Sequence, residues 1–289
     1  MIVVTGAAGH LGRHVVRELR EVLPPGEVVA AARSPEQAAD LGVTVRHADY
    51  DAPETVVRAL DGAEKVLLIS GTAMGRRVEQ HRAVIDAAAK VGVSQLVYTS
   101  APRASTSSLP VVPEHKATEE IIFETAVPFT ILRNGWYSEN FLPAIEQAVR
   151  TGSFVGSAGE GKVASASRAD FARAAVAVLT TDGHAGRVYE LSGDQAWSYP
   201  DLAATIGEVT GVEVTYNDLE PEEHVAVLVA TGLPEEVARF VVAVEQGTKA
   251  GLLAEVTGDL HELIGRPTRP IRETVIEVVN TIEDPIGSR

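Results

Sequence analysis

Several residue types that would point to particular functions are scarce or missing in this chain of 289 residues. There is no cysteine, which excludes disulfides, thiolate metal sites and cysteine nucleophiles. No stretch approaches the roughly 18 apolar residues of a membrane-spanning helix, and the short apolar start lacks the basic flank of a signal peptide. We therefore expect a cytoplasmic protein that has no metal site and does not bind a membrane.

Basic side chains are also in short supply. The chain has 25 lysines and arginines against 40 aspartates and glutamates, which gives a net charge of −15. Because proteins bind nucleic acid through basic side chains that replace phosphate counterions, we expect no nucleic-acid partner. Residues 1–150 carry 15 basic and 18 acidic side chains (−3), and residues 151–289 carry 10 and 22 (−12). An anionic ligand would meet less repulsion in the first half.

Short runs of β-branched residues alternate with segments of helical periodicity, as is typical of βαβ units. Strands are predicted at 2–4, 28–31, 43–47, 65–69, 95–99 and 129–132. Between the first two, Leu11, Val15, Leu19 and Leu23 recur every four residues and predict a helix packed on the sheet. The sequence therefore predicts an α/β fold of the Rossmann type, with a parallel sheet and helices on both of its faces.

The alternation loosens beyond residue 150. Helices are predicted at about 168–180, 200–210, 221–231, 234–246 and 271–282. Two pairs indicate capping boxes at helix starts, namely Asp51 with Glu54 and Ser198 with Asp201. We predict that residues 151–289 mainly form a small C-terminal α/β lobe, interleaved with the sheet by crossovers, that lines a substrate pocket.

A glycine-rich turn, Gly6-Ala7-Ala8-Gly9-His10-Leu11-Gly12, directly follows the first strand and opens the first helix. Gly6 would permit the turn, Gly9 would let a pyrophosphate approach the backbone, and Gly12 would let the helix pack closely. An ordinary tight turn is the alternative, but a strand before and a helix after favour dinucleotide binding on the helix N-terminus. Residues 1–150 are thus predicted to be an NAD(P)-binding domain. The predicted cofactor contacts here are Thr5, Gly6, Ala8, Gly9, His10, Leu11 and Gly12.

The end of the second strand indicates which dinucleotide is bound. An acidic side chain there would accept a hydrogen bond from the ribose of NAD, but this chain has Arg33 followed by Ser34. A guanidinium suits a 2′-phosphate, so NADPH is the predicted cofactor, although a solvated loop arginine is the alternative. Further cofactor contacts are predicted at the ends of the third and fourth strands: Asp49, Tyr50, Ser70 and Gly71. Asp49 would reach the adenine amino group or, equally, cap the next turn.

Six segments carry a resemblance to a known family: TGAAGHLG at 5–12, RHADYDAPE at 46–54, LLIS at 67–70, LRNGWYSENF at 132–141, GEGKVASASRADFA at 159–172 and GHAGRVYELSGDQAWS at 183–198. They resemble the NmrA-like, atypical short-chain dehydrogenase/reductase family along nearly the whole chain. The resemblance implies a Rossmann domain with a small C-terminal lobe, NADPH as hydride donor and quinone-like acceptors.

The tyrosine and lysine, four residues apart, of better-known short-chain dehydrogenases are missing. Where that pair would fall, the chain reads Val111-Val112-Pro113-Glu114-His115-Lys116, and no tyrosine lies between Tyr98 and Tyr137. Reduction of a carbonyl needs a positioned acid, whereas a quinone yields a phenolate-like anion that water can protonate. His115 and Lys116 are candidate proton donors or nicotinamide-ribose contacts, or simply the charged first turn of a helix. His81 shares a helix face with apolar residues, which predicts a satisfied core-edge histidine.

The segment 133–141 follows the sixth strand and should face the nicotinamide. Trp136 and Tyr137 offer flat surfaces for a planar acceptor, and core residues are the alternative interpretation. With Asn134 they complete the candidate catalytic residues.

The leading hypothesis is an NADPH-dependent reductase of quinones or similar planar acceptors. A non-catalytic NADP(H) sensor that binds a partner protein and a biosynthetic reductase with a private substrate remain alternatives. A homodimer is left open.

Overall fold

A parallel sheet of seven strands forms the centre of the computed structural model, which describes residues 1–282. Its strands are β1 (Ile2–Thr5), β2 (Val28–Ala32), β3 (Thr44–His47), β4 (Lys65–Leu68), β5 (Gln95–Ser100), β6 (Phe129–Asn134) and β9 (Arg187–Leu191). They lie in the order β3-β2-β1-β4-β5-β6-β9. The predicted α/β fold of the Rossmann type is confirmed, and the first six strands lie where the sequence predicted them. The seventh strand was not predicted.

Helices follow most strands, as parallel connections require. They are α1 (His10–Val22), α2 (Pro53–Ala59), α3 (Arg77–Val91), α4 (Val112–Glu124), α5 (Leu142–Thr151), α6 (Arg168–Thr180), α7 (Tyr199–Thr210), α8 (Pro221–Ala230), α9 (Glu235–Lys249), α10 (Asp259–Ile264) and α11 (Ile271–Thr281). Two short 3-10 helices span Pro35–Leu41 and Ser138–Phe141. Within residues 1–282, no helix is both long enough and apolar enough to cross a membrane.

The two faces of the sheet bury separate cores. On one face α1 and α6 pack against it through residues such as Val15 and Phe171. On the other face α2, α3 and α4 do so through residues such as Val56, Ile85 and Ile122. Burial of large aliphatic and aromatic side chains on both faces fixes the helices to the sheet and so fixes the loops at its carboxyl edge.

A third core lies in the C-terminal part of the chain and includes Phe141, Phe154, Trp197 and Tyr199. Four short strands form two small sheets there: β7 (Ser153–Gly156) with β11 (Thr215–Asp218), and β8 (Lys162–Val163) with β10 (Trp197–Ser198). The chain does not divide simply in two, since α6 and β9 return to the main sheet. The boundary at residue 150 stays a prediction.

The two predicted capping boxes have different outcomes. Ser198 and Asp201 form one at the start of α7, as predicted. The box at Asp51 is wrong, because the cap of α2 is Ala52 and it makes no side-chain bond. The Asp51 carboxylate instead accepts hydrogen bonds from Arg76 at 2.8 Å and Gln80 at 2.9 Å.

Candidate cofactor and active site

A cavity of about 540 Å³ opens at the carboxyl ends of β1, β2 and β4. Loops at this edge of a parallel sheet commonly hold a ligand. The structure brings most of the predicted site residues together around it: Gly6, Ala8, Gly9, His10, Leu11, Gly12, Arg33, Asp49, Tyr50, Ser70, Gly71 and Tyr137.

The glycine turn forms the floor of the cavity. Gly6 has a left-handed backbone with φ of 61°, which a glycine adopts without strain. At Gly12 a Cβ would lie 2.4 Å from the Gly6 carbonyl oxygen, so only glycine lets α1 approach the turn this closely. Helix α1 begins at His10 without a side-chain cap or an acidic residue in its first turn. Its first N–H groups are therefore available to an anion.

The cavity wall at the end of β2 contains an exposed arginine and is called the open wall. Arg33 is exposed and forms no ion pair within residues 1–282. Ser34 and Gln37 line the cavity beside it. Arg13, one turn into α1, holds this segment by donating to the Gln37 carbonyl at 2.7 Å and pairing with Asp40. The guanidinium of Arg33 is thus free to meet a phosphate.

Asp49 and Tyr50 form the next part of the wall. The Asp49 carboxylate accepts from the Asp51 backbone N–H at 3.0 Å, so it caps the turn while it lines the cavity. The Tyr50 hydroxyl donates to Thr5 Oγ1 at 2.6 Å, and burial raises the pKa of Tyr50 to about 12. Thr5 does not line the cavity. Its hydroxyl donates to the Leu67 carbonyl and accepts the hydrogen bond from Tyr50, so it positions the Tyr50 side chain.

Opposite the open wall, the chain leaves β4 through Ser70 and Gly71. Ser70 N–H donates to Thr99 Oγ1 at 2.9 Å. Gly71 N–H donates to His81 Nε2, and its carbonyl accepts from Arg77. His81 is fully buried and satisfied, as the sequence predicted.

Tyr137 closes the cavity near the N-terminus of α6. Its ring meets Phe171 edge to face with centroids 5.2 Å apart, and the Arg168 guanidinium lies 4.9 Å from its centroid. The hydroxyl accepts from Asn134 Nδ2 at 3.2 Å. Burial raises the pKa of Tyr137 above its ordinary value, so the phenol is neutral at physiological pH and is a hydrogen-bond donor rather than a strong acid. Asn134 is buried, and its Oδ1 has no hydrogen-bond partner within residues 1–282.

Trp136 does not share this cavity. Because neighbouring residues of an extended segment point to opposite sides, it lies against the C-terminal core while Tyr137 faces the cofactor cavity. Trp136 lines a separate, much smaller cavity with Arg103 and Leu253. Its stacking on an acceptor stays a prediction.

His115 and Lys116 lie in the second turn of α4, and neither lines the cavity. His115 is buried, with Nδ1 at 2.7 Å from the Tyr98 hydroxyl. Burial lowers the pKa of His115 to about 3, so its ring is neutral at physiological pH. Lys116 is exposed. The structure does not bring these residues to the cofactor contacts, and their part in catalysis stays a prediction.

The sequence analysis missed several cavity residues, among them Arg77, Gln80 and Arg168. The first two lie at the start of α3, and Arg168 is the first residue of α6. Arg168 stands inside the segment that carried the family resemblance, which is a signal that could have found it. Arg77 and Gln80 lie on a helix, where polar side chains usually indicate a solvated face.

Comparison with known proteins extends these observations. The sequence model of a family described as NAD(P)H-binding matches residues 6–182, a range that contains every residue lining the large cavity. Over 283 residues the chain is 43% identical to Quinone oxidoreductase 2 of Escherichia coli strain K12. That match covers 97% of this chain and 99% of the relative.

Solved structures give the same picture. The Escherichia coli NADPH-dependent quinone oxidoreductase complexed with NADPH has a TM-score of 0.93 at 43% identity, covering 96% of this chain and 99% of that one. Citrobacter triphenylmethane reductase complexed with NADP(H) has a TM-score of 0.90 at 36% identity, covering 96% and 100%. NmrA, a negative transcriptional regulator solved with NADP, shares the fold, with a TM-score of 0.80 at 17% identity and 98% coverage of both chains.

Proposed function

The chain belongs to the NAD(P)H-binding, NmrA-like family, and on that premise we propose that it is an NADPH-dependent reductase of quinones or similar planar acceptors. The observation that carries the activity is the similarity over nearly the full length to a protein named Quinone oxidoreductase 2. The observation that carries the cofactor is that one cavity has an uncapped helix N-terminus on its floor and, on one wall, the guanidinium of Arg33, which forms no ion pair within residues 1–282.

The residues present fit NADPH. The first N–H groups of α1 would bind the pyrophosphate, and Arg33 with Ser34 would bind the 2′-phosphate at the adenosine end. Asp49 would receive the adenine amino group, and Ser70 with Gly71 would contact the nicotinamide half. When bound, NADPH supplies a hydride, so one NADPH, one proton and one quinone yield NADP⁺ and a hydroquinone.

The chain's own part in proton transfer is small. Hydride addition to an ordinary ketone makes a strongly basic alkoxide, whereas addition to a quinone makes a weakly basic phenolate. No tyrosine and lysine four residues apart follow β5 in this sequence. Tyr137 is the candidate that lines the cavity with the cofactor contacts. Its phenol oxygen accepts from Asn134, and within residues 1–282 its hydroxyl donates to no acceptor. Tyr137 therefore orients the acceptor and offers it a weak hydrogen-bond donor.

A steady-state assay tests the proposed activity. Purified protein is mixed with NADPH and p-benzoquinone, and the loss of NADPH absorbance is followed. We expect turnover far above that of a variant carrying Trp136→Ala and Tyr137→Ala. Tight NADPH binding without turnover would contradict the proposal and favour a cofactor sensor, a role that the missing tyrosine and lysine also fit.

Two further points belong to the proposal. The cytoplasm is the compartment that we propose, because the chain has no cysteine that would benefit from an oxidising one.

We also propose a homodimer, which light scattering of the purified protein tests directly. A monomeric mass at all concentrations would contradict it.

A further inference from the structure

The peptide unit of Gly71 is held from both sides by side chains of α3. Its N–H donates to His81 Nε2 at 2.9 Å, and Arg77 Nε donates to its carbonyl oxygen at 2.7 Å. Arg77 and His81 are four residues apart and therefore lie on the same helix face. Both are buried, with exposed fractions of 9% and 0%. A backbone segment that lines the cavity is thus fixed by two side chains of α3, of which Arg77 also lines the cavity itself.

The hydrogen bonds of His81 determine its tautomer. A backbone N–H can only donate, so His81 Nε2 must be unprotonated and Nδ1 must carry the hydrogen. That hydrogen points to Thr118 Oγ1 at 3.0 Å, and the Thr118 hydroxyl donates to the Glu114 carbonyl at 2.8 Å. Burial lowers the pKa of His81 to about 3, which keeps the acceptor nitrogen free. The chain of bonds runs in one direction only, from Gly71 to α4.

The guanidinium of Arg77 also forms an ion pair. One of its terminal nitrogens lies 3.2 Å from a carboxylate oxygen of Glu114. The other oxygen of that carboxylate accepts from the Gly75 N–H at 3.0 Å. The segment from Gly71 to Gly75 is therefore tied to both α3 and α4.

We propose that His81 and Arg77 are positioning residues that fix the Ser70–Gly71 wall for the nicotinamide half of NADPH, an inference that rests on the proposed function. Arg33 marks the adenosine end on β2, and the turn after β1 takes the pyrophosphate. Strand β4 lies on the other side of β1 from β2, so Ser70 and Gly71 face the remaining half of the cofactor. A wall fixed before binding spares the cofactor the cost of ordering it.

Three variants test the assignment through binding and through the backbone itself. His81→Leu removes the acceptor for Gly71, while His81→Gln places an amide oxygen near the position of Nε2. Arg77→Met removes the donor to the carbonyl, and Arg82→Met makes the same change at an exposed arginine of α3 as a control. Dissociation constants for NADPH and NADH are measured by fluorescence titration, and hydrogen exchange at the Gly71 amide is measured without cofactor.

We expect His81→Leu and Arg77→Met to weaken NADPH and NADH binding by the same factor, about fivefold to tenfold, because the wall does not contact the 2′-phosphate. His81→Leu should speed exchange at Gly71, and His81→Gln should restore both exchange and affinity. Arg82→Met should match the wild type. If His81→Leu fails to fold, Arg77→Met carries the binding test.

Wild-type affinity in His81→Leu and Arg77→Met would overturn the assignment, as would a loss confined to NADPH. If the wild-type chain itself bound neither cofactor, the proposed function would fail instead, whatever the variants did.

Discussion

Arg33 and Arg77 line the same cavity but differ in their contacts with the rest of the chain. Arg33 is exposed and forms no ion pair in the part of the chain that the structure describes. Arg77 is buried, donates to the Gly71 carbonyl and pairs with Glu114. A guanidinium without an ion pair can bind a ligand phosphate without first breaking one. Arg77 already forms an ion pair and a backbone hydrogen bond, so it acts by fixing the peptide unit of Gly71. One wall therefore recognises charge, and the other supplies a fixed shape.

The floor between the two walls should be the most sensitive to substitution. In Gly12→Ala the new Cβ would lie 2.4 Å from the Gly6 carbonyl oxygen and 2.7 Å from Ala7 Cα. We expect NADPH binding to be lost and the free energy of unfolding to fall by about 1–3 kcal/mol. Urea denaturation and fluorescence titration measure the two effects.

Gly9→Val is the matched comparison, since a Cβ at Gly9 meets only the Gly6 oxygen, at 3.2 Å. This variant should stay folded and still lose the dinucleotide, because the side chain would occupy the place of the pyrophosphate. A folded Gly12→Ala with normal affinity would show that the floor is more adaptable than its geometry indicates.

The open wall should set the choice of cofactor. Arg33→Ala should cost about 1.5–3 kcal/mol of NADPH binding, the range for a hydrogen bond to a charged group, and leave NADH binding nearly unchanged. Titration of both cofactors measures this, with Arg82→Ala as the control. Equal losses of binding free energy for NADPH and NADH would show that Arg33 does not select the cofactor through its 2′-phosphate. The open wall would then not recognise charge.

The fixed wall should be acid-sensitive. The pKa of His81 falls from an ordinary 6.5 to about 3 on burial, and that of His115 falls equally. At these two histidines the unfolded chain therefore binds protons that the folded chain does not, so their contribution to stability falls as pH drops below 6.5 and stops changing near 3. Each histidine contributes a slope of up to about 1.4 kcal/mol per pH unit.

Urea denaturation between about pH 6 and pH 4 should show that slope. His81→Gln should make it shallower by one histidine's share. Parallel slopes for wild type and variant would mean that His81 is protonated in the folded state.

The smallest effect is expected at the residues nearest the missing tyrosine. His115→Ala and Lys116→Ala should each lower the rate constant of quinone reduction by less than about tenfold, or about 1.4 kcal/mol of barrier. Single-turnover stopped flow with saturating NADPH measures it. A loss of about a thousandfold with the fold intact would mark a true general acid and defeat the quinone-specific argument.

The two walls also show what a sequence can and cannot reveal. Arg33 could be predicted because it stands directly after a strand, where the connection between sequence position and site is local. The glycine turn could be predicted for the same reason. Six strands followed from β-branched runs, but β9 did not, since Val188 is exposed at the sheet edge and no alternation singles the strand out.

Arg77 could not be found in this way. Its role depends on the approach of α4, which brings Glu114 to it across a separation that no local pattern encodes. The role of Asp51 could not be predicted from local sequence either. Its carboxylate accepts hydrogen bonds from Arg76 and Gln80 on another helix segment and does not cap α2. Trp136 and Tyr137 are neighbours in sequence, yet they reach different cavities.

A crystal structure of the NADPH complex soaked with an unreactive quinone analogue tests the central claim most directly. The account predicts the 2′-phosphate on the Arg33 guanidinium, the pyrophosphate on the first amides of α1, and the nicotinamide half against Ser70 and Gly71. The analogue should stack on the nicotinamide beside Tyr137. Cofactor bound with Arg33 turned away from the phosphate, and no analogue at the nicotinamide, would contradict it.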